Sequence, residues 1–219
     1  DEFRDIIKKH KVDKVIATAT STARDVANGA ELVTIGRDRG IPIQIIGGQR
    51  EAELSFEGAV SAIEEVHEKK ILMVDVGGGS TEFVFKEPRQ KIKAQSFDVG
   101  CVRLTEMFLK SDPIDWAEYK KLEEYAGKVI KSYGKVGPEL IIAVAGTPTT
   151  LACVDQGIDF DDKKVEGYAL SKRQINDLAK RLGNVPLAER KEIKGLEPLR
   201  ADVIVAGCAL LNCAMNLAA

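Results

Sequence analysis

The sequence predicts an α/β protein of two domains, residues 1–68 and 69–219. Strand and helix patterns alternate up to residue 68, which is typical of a layer with parallel strands. After Lys69 and Lys70, three strand patterns follow one another across short turns, which is typical of an antiparallel meander. With 44% apolar residues in 219, the chain can bury a sizeable core.

Composition excludes several classes of protein. The 32 basic residues balance 34 acidic ones, so overall charge does not favour nucleic-acid binding. Four cysteines without a C-x-x-C pair argue against a zinc site or a disulfide framework. The opening segment lacks an apolar signal sequence, and the uncharged run from Val203 to Ala219 predicts a buried helix rather than a membrane span. We therefore expect a cytoplasmic protein with no nucleic-acid or membrane partner.

Apolar spacing and turn residues predict the elements of the first domain. In the long helix, Leu54, Ala59 and Ile63 are predicted to be buried. The elements in order are a helix at 3–10, a buried strand starting at Val15, a helix from Ser21 to Gly40 with a break at Asn28-Gly29, a strand in "IPIQIIGG", and a helix from Gln49 to Glu68.

The second domain is predicted to begin with the meander and to end in helices. Its strands lie in "ILMVDV", "TEFVF", "KIKAQSFDVG" and, later, "LIIAVAG". Its helices are expected at 102–110, 115–134, 147–155, 171–183 and 198–218.

A three-glycine turn is the sharpest local feature. Asp75 ends an apolar strand, Gly77, Gly78 and Gly79 turn the chain, and Ser80, Thr81 and Glu82 begin the return strand. Three glycines exceed what a two-residue hairpin needs, and they let backbone N–H groups approach an anion, with the two hydroxyls as further donors. A carboxylate such as Asp75 suits Mg²⁺, which prefers oxygen ligands. A flexible hairpin turn is the alternative that spacing leaves open.

A second turn of glycine and hydroxyl residues follows the last predicted strand. Gly146 and Thr147 open a helix there, and the N–H groups of a helix N-terminus favour phosphate. A structural interpretation is equally open, because Thr147 is a good N-cap and Pro148 a good first helical residue.

Acidic residues open the helix that follows Gly47-Gly48. Glu51 in a first helical turn is an ordinary complement of the helix dipole, and it is also where a base that activates water is useful. Taken alone, Arg24 is interpreted as a surface cation. His10 and His67 lie in charged segments, so neither histidine predicts a nucleophile–histidine pair.

Together these segments resemble the exopolyphosphatase and guanosine pentaphosphate phosphohydrolase (Ppx/GppA) family, which has the ribonuclease H-like fold of the actin, Hsp70 and sugar-kinase superfamily. In that fold two α/β domains flank a cleft. The matching segments, in the order of the family, are "IATATSTARDVANG", "IQIIGGQREAELSFEGA", "ILMVDVGGGSTEFVF", "FDVGCVRLTEMF", "IIAVAGTPTTLA" and "ADVIVAGCALL".

The resemblance implies hydrolysis of a terminal phosphoanhydride in inorganic polyphosphate or in guanosine pentaphosphate, with Mg²⁺ as cofactor. It implies that Glu51 activates water and that Arg24 faces the cleft. Asp75 and Glu82 would support Mg²⁺. The implied phosphate-binding residues are Gly77, Gly78, Gly79, Ser80, Thr81, Gly146 and Thr147.

Three questions stay open at the level of sequence. The family's first three strands and their D-x-G-S-N-S loop have no counterpart here, so we expect a first domain that is incomplete. A non-catalytic sensor of polyphosphate or of guanosine tetra- or pentaphosphate, and an ATP-dependent kinase of a small molecule, are the alternative functions, since glycine loops are shared across the superfamily. A homodimer is also left open, and an unpaired strand edge favours self-association.

Overall fold

The computed structural model describes residues 1–61 and 68–218. The chain forms two compact units, Asp1–Glu51 and Ala52–Ala219. The positions of Ile63 and His67, and the end of the helix predicted from Gln49 to Glu68, lie outside the described residues. The assignment of domains to 1–68 and 69–219 stays a prediction.

The described elements combine helices and strands in both units, which confirms the predicted α/β class. The strands are β1 (Ala17–Ala19), β2 (Ile43–Ile45), β3 (Ile71–Val76), β4 (Thr81–Lys86), β5 (Lys93–Phe97) and β6 (Leu140–Val144). The helices are α1 (Glu2–Lys9), α2 (Ser21–Asp25), α3 (Gly29–Asp38), α4 (Gly48–Val60), α5 (Cys101–Phe108), α6 (Trp116–Ile130), α7 (Gly146–Gln156), α8 (Asp162–Val165), α9 (Lys172–Gly183), α10 (Leu187–Arg190) and α11 (Ile204–Leu217).

The first unit is built on a parallel pair of short strands. β1 pairs with β2 in parallel register, with Ala17 opposite Ile43. The break predicted at Asn28-Gly29 is present between α2 and α3: it covers residues 26–28, and α3 begins at Gly29. A Cβ at Gly29 would lie 2.0 Å from the carbonyl oxygen of Ala23. The predicted strand starts too early, because pairing begins only at Ala17, and Ile16 is 80% exposed rather than buried.

The second unit contains a four-stranded sheet in the order β5-β4-β3-β6. β3, β4 and β5 are antiparallel neighbours, which confirms the predicted meander. β6 returns parallel to β3. This topology brings the turn between β3 and β4, the end of β6 and the start of α7 to one edge of the sheet.

Both faces of the sheet are covered, which is why β3 reads as a continuous apolar run. The larger core joins one face to α5, α6, α7, α9 and α11. On the other face, Ala52 and Phe56 of α4 pack on Ile71 and Met73. The prediction that Leu54 is buried is wrong: two residues from Ala52, it lies about 200° around the helix and is exposed.

The helical predictions hold for the longer segments. Asp115 caps α6 by accepting from the N–H of Ala117, and Ser171 closes a capping box at α9. The helix predicted at 198–218 is divided into a 3₁₀ turn, Pro198–Arg200, and the buried α11. The four-residue helices α8 and α10 are too short for a periodic pattern to predict them.

The structure also describes the cysteines and the most apolar helices. All four cysteines are buried and free. Among the residues that the structure describes, no helix is long and apolar enough to cross a membrane.

Candidate active site

The three-glycine turn joins β3 to β4 at the edge of the sheet. Val76 is opposite Thr81 in the register, and the N–H of Gly77 donates to the carbonyl oxygen of Ser80 over 3.0 Å. The turn is therefore a closed hairpin loop, continuous with two central strands of the second unit. We call residues 77–80 the glycine loop.

The start of α5 binds the carbonyl oxygens of this loop. The N–H of Cys101 donates to Gly77 over 2.9 Å, and the N–H of Val102 donates to Gly78 over 3.0 Å. Nε of Arg103 donates to the carbonyl oxygen of Gly79 over 2.9 Å. All three glycine carbonyls thus face α5.

The amide groups of the loop are arranged differently from its carbonyls. Within residues 1–61 and 68–218, the N–H groups of Gly78, Gly79 and Ser80 donate to no backbone carbonyl. Consecutive N–H groups of this kind form a concave donor site for an anion. The arrangement agrees with the phosphate-binding role that the resemblance implies for this loop.

The hydroxyl residues that follow the glycines are more buried than a flexible turn requires. Ser80 is 2% exposed and Thr81 is fully buried. The Thr81 hydroxyl donates to the carbonyl oxygen of Val99 over 2.5 Å, so it connects β4 to the segment that precedes α5. This contact gives Thr81 a visible structural role, while phosphate binding by Ser80 and Thr81 stays a prediction.

Asp75 and Glu82 lie next to each other at the base of the loop. They are direct partners in the antiparallel register, so their side chains leave the same face of the sheet. The hydroxyl of Ser55 in α4 donates to Oδ2 of Asp75 over 2.7 Å, and the hydroxyl of Ser96 donates to Oε1 of Glu82 over 2.6 Å. Each carboxylate is therefore oriented by a serine that the sequence did not single out.

Arg24 and Glu51 form an ion pair within the first unit. Nη1 of Arg24 lies 2.9 Å from Oε2 of Glu51, and it also donates to the carbonyl oxygen of Ile46 over 2.8 Å. Both side chains are partly buried, at 23% and 17% exposure. The two predicted catalytic residues are 27 positions apart in the chain, and the fold brings them into contact.

The second predicted phosphate turn opens α7. Ala145 is the residue before the helix and has φ 74°, a conformation that is uncommon for a residue with a side chain and that is enriched at functional sites. Thr147 is therefore not the N-cap. It is 2% exposed and packs against Gly207 of α11, where a Cβ would lie 2.5 Å from its methyl carbon.

Arg200 is a functional candidate that the sequence did not reveal. Its guanidinium lies directly against Gly146, where a Cβ would come within 2.1 Å of Nη1, and its Nε donates to Glu197 over 2.9 Å. A cavity of about 540 Å³ opens beside it, with Thr149 and Phe160 among its lining residues. In the sequence, Arg200 is indicated only by its position, as the one basic residue between Glu197 and the apolar run of α11.

The cysteine nearest the glycine loop is not set up as a nucleophile. Burial raises the pKa of the Cys101 thiol, although backbone hydrogen bonding at Val102 and the charge of Arg200 act in the opposite direction. The thiol therefore stays protonated near neutral pH.

Asp75 and Glu82 supply the carboxylate oxygens that Mg²⁺ prefers as ligands. Among the described residues, no three His, Cys, Asp or Glu side chains lie close enough together to hold a metal ion. Mg²⁺ keeps several waters and is commonly held by one or two carboxylates together with substrate phosphates. Asp75 and Glu82, each oriented by a serine hydroxyl, fit that requirement.

A protein-family model described as the Ppx/GppA phosphatase family matches residues 1–217. The chain belongs to this family.

Individual relatives agree with the family match. The chain is 32% identical to a bifunctional 3-dehydroquinate synthase/phosphatase of Fusobacterium nucleatum, over 96% of this chain and 33% of that protein. It is 31% identical to exopolyphosphatase 2 of Mycobacterium tuberculosis, over 96% of this chain and 69% of that protein. The chain therefore spans about a third of the first relative and about two thirds of the second.

Solved structures place the chain in the same fold. A Ppx/GppA family member from Aquifex aeolicus is 30% identical with a TM-score of 0.85, covering 99% of this chain and 71% of its own. An exopolyphosphatase from Cytophaga hutchinsonii is 32% identical with a TM-score of 0.82, covering 99% of this chain and 72% of its own. The predicted actin-like architecture is thus confirmed by its structural relatives.

Proposed function

We propose that the protein is a Mg²⁺-dependent hydrolase that releases the terminal phosphate of inorganic polyphosphate or of guanosine pentaphosphate. One observation carries this proposal. Two carboxylates on one sheet face lie at the base of a loop whose three N–H groups donate to no backbone carbonyl among the described residues. Donors for phosphate and ligands for a cation are what phosphoryl transfer requires, because catalysis there depends on positioning and charge neutralisation.

The reaction needs one base and no covalent intermediate. Water attacks the terminal phosphorus, the bond to the bridging oxygen breaks, and Glu51 accepts the proton of the water. The shortened chain leaves with the bridging oxygen. Arg24 orients the base, since its Nη1 contacts both Glu51 and the carbonyl oxygen of Ile46.

The glycine loop and the carboxylates bind the substrate. The N–H groups of Gly78, Gly79 and Ser80 are the proposed donors to phosphate oxygens. Asp75 and Glu82 would hold Mg²⁺, which when bound neutralises charge on the phosphate chain. Gly146, at the start of α7 and against the Arg200 guanidinium, is proposed as a second contact for a long anion.

The relatives support the substrate class to different degrees. Two of them are named exopolyphosphatases, which favours inorganic polyphosphate. Guanosine pentaphosphate is proposed as the second substrate because the resemblance to the Ppx/GppA phosphatase family implies it. Both substrates carry the same terminal phosphoanhydride, so one site serves either.

Phosphate release by the complete protein tests the proposal. We expect release from polyphosphate or guanosine pentaphosphate that depends on Mg²⁺ and is abolished by EDTA. The 219-residue chain is assayed in parallel to learn which parts of the protein the reaction requires. Tight binding of either compound without release would overturn hydrolysis and favour the sensor. Transfer of phosphate from ATP to a small acceptor would favour the kinase.

A further inference from the structure

We propose that Arg103 and Gly100 are positioning residues that set the glycine loop for anion binding from the side opposite to the anion. This inference rests on the proposed phosphate-binding role of the loop. Neither residue was among the predicted site residues, and neither is assigned a direct contact with the substrate.

Contacts on the carbonyl side of the loop support this inference. A peptide unit whose carbonyl is bound on one side presents its N–H on the other. The carbonyls of Gly77 and Gly78 accept from the first N–H groups of α5, and the carbonyl of Gly79 accepts from Nε of Arg103. The N–H groups that α5 would otherwise present to an anion are therefore used to orient the loop.

The charge of Arg103 adds to this orientation. A hydrogen bond from a guanidinium is stronger than a neutral one, and chains of hydrogen bonds polarise one another. The Gly79 carbonyl is part of the peptide group whose N–H belongs to Ser80. Arg103 thus strengthens one of the three proposed phosphate donors without touching the phosphate.

Gly100 permits the close approach of the two segments. A Cβ at this position would lie 2.2 Å from the carbonyl oxygen of Gly78 and 2.5 Å from the nitrogen of Gly79. Its φ of −123° suits any residue, so the requirement for glycine comes from contact and not from backbone conformation. Any side chain here must displace the loop.

The test uses Arg103→Gln and Gly100→Ala in the complete protein, with two matched controls. Arg173→Gln removes an exposed arginine paired with Asp177, and Gly137→Ala adds a Cβ where no atom lies within 4 Å. Two quantities are measured. The first is hydrogen exchange, without any anion, of the Gly77, Cys101 and Val102 amides, whose N–H groups hold the loop in the structure. The second is the dissociation constant of tripolyphosphate by calorimetry. Thermal unfolding identifies any variant that fails to fold.

We expect both test variants to exchange these three hydrogen-bonded amides faster in the absence of anion and to bind tripolyphosphate about tenfold more weakly, while both controls match the wild type. This corresponds to about 1.4 kcal/mol. Arg103→Lys should restore only part of the affinity, because lysine lacks the planar fork that reaches the carbonyl.

The remaining outcomes separate this inference from the proposed function. Weaker binding of tripolyphosphate with unchanged exchange in Arg103→Gln would mean that Arg103 contacts the anion, which overturns positioning. Unchanged exchange and unchanged affinity would also overturn it. If the wild type binds tripolyphosphate but does not hydrolyse polyphosphate or guanosine pentaphosphate, the proposed function fails, while the exchange data still decide the role of Arg103.

Discussion

Nη1 of Arg24 lies 2.9 Å from Oε2 of Glu51 and 2.8 Å from the carbonyl oxygen of Ile46. One nitrogen therefore connects the last turn of α2, the residue after β2 and the first turn of α4. Because both side chains are partly buried, the pair is less screened than a surface salt bridge. The contact holds the proposed base in one orientation.

Removing the arginine should impair turnover. We expect Arg24→Gln to lower kcat by roughly tenfold to a hundredfold, because a misplaced base loses much of its effect. KM should change less than kcat. Arg37→Gln, which alters an exposed arginine on α3, is the control and should keep wild-type kcat. Equal kcat in wild type and Arg24→Gln would contradict the role of the pair.

The serine that orients Asp75 should affect Mg²⁺ dependence. Ser55→Ala removes the hydroxyl that lies 2.7 Å from Oδ2 of Asp75, and groups that orient metal ligands commonly contribute about tenfold or more to metal affinity. We therefore expect a Mg²⁺ titration of activity to shift to higher concentration by about tenfold, and further in Asp75→Asn.

Ser132→Ala is the matched control, because the hydroxyl of Ser132 donates to the backbone carbonyl oxygen of Val129 within its own turn. Calorimetric titration with Mg²⁺ provides a readout independent of turnover. Identical Mg²⁺ affinity in wild type and Asp75→Asn would remove Asp75 from the metal site.

The buried arginine of α10 should dominate the stability of its region. Arg190 is 2% exposed and donates to the carbonyl oxygens of Leu182, Val185 and Ala201 over 2.6–3.0 Å. Arg190→Met leaves three carbonyls without this donor, so we expect the free energy of unfolding to fall by about 3 kcal/mol. Urea denaturation measures it, with the exposed Arg181→Met expected within about 0.5 kcal/mol of wild type. A loss below about 1 kcal/mol would show that the arginine is not structural.

Two buried thiols should make the protein less stable at alkaline pH. Burial raises the pKa of Cys208 to about 12, and burial together with the charge of Glu123 raises that of Cys213 to about 12. Unfolded cysteine titrates near 8.5, so above that pH the unfolded chain binds fewer protons than the folded chain. Stability therefore falls as pH rises between about 8.5 and about 12, by up to about 1.4 kcal/mol per pH unit for each thiol.

The Cys208→Ala variant isolates one of these contributions. Between pH 8 and pH 10, we expect its free energy of unfolding to fall by about 2 kcal/mol less than that of the wild type. An equal fall in both would contradict the raised pKa of Cys208.

The sequence predicts what depends on neighbours along the chain. An apolar run ended by glycines correctly places β3, the glycine loop and β4, because a hairpin is a local structure. The same reasoning finds the break between α2 and α3. It fails for Leu54, because a helix of mixed composition does not reveal which face meets the sheet.

Contacts between distant segments are not visible in the sequence. Ser55 meets Asp75, Gly100 meets Gly78, and Arg200 meets Gly146, each across 20 residues or more. Serine, glycine and arginine are also common at surface and loop positions where they make no specific long-range contact. The role of each residue becomes visible only when α4 packs on β3, the start of α5 meets the glycine loop, and the turn Pro198–Arg200 meets the start of α7.

Paired measurements on Glu51→Gln test the central claim most directly. In the complete protein, we expect phosphate release from polyphosphate to fall by roughly 10²–10⁴-fold, because the base is lost, while tripolyphosphate affinity and the unfolding temperature stay near wild type. Glu57→Gln, an exposed change on α4, should release phosphate at the wild-type rate. Undiminished release by a folded Glu51→Gln protein would contradict the assignment of Glu51 as the base.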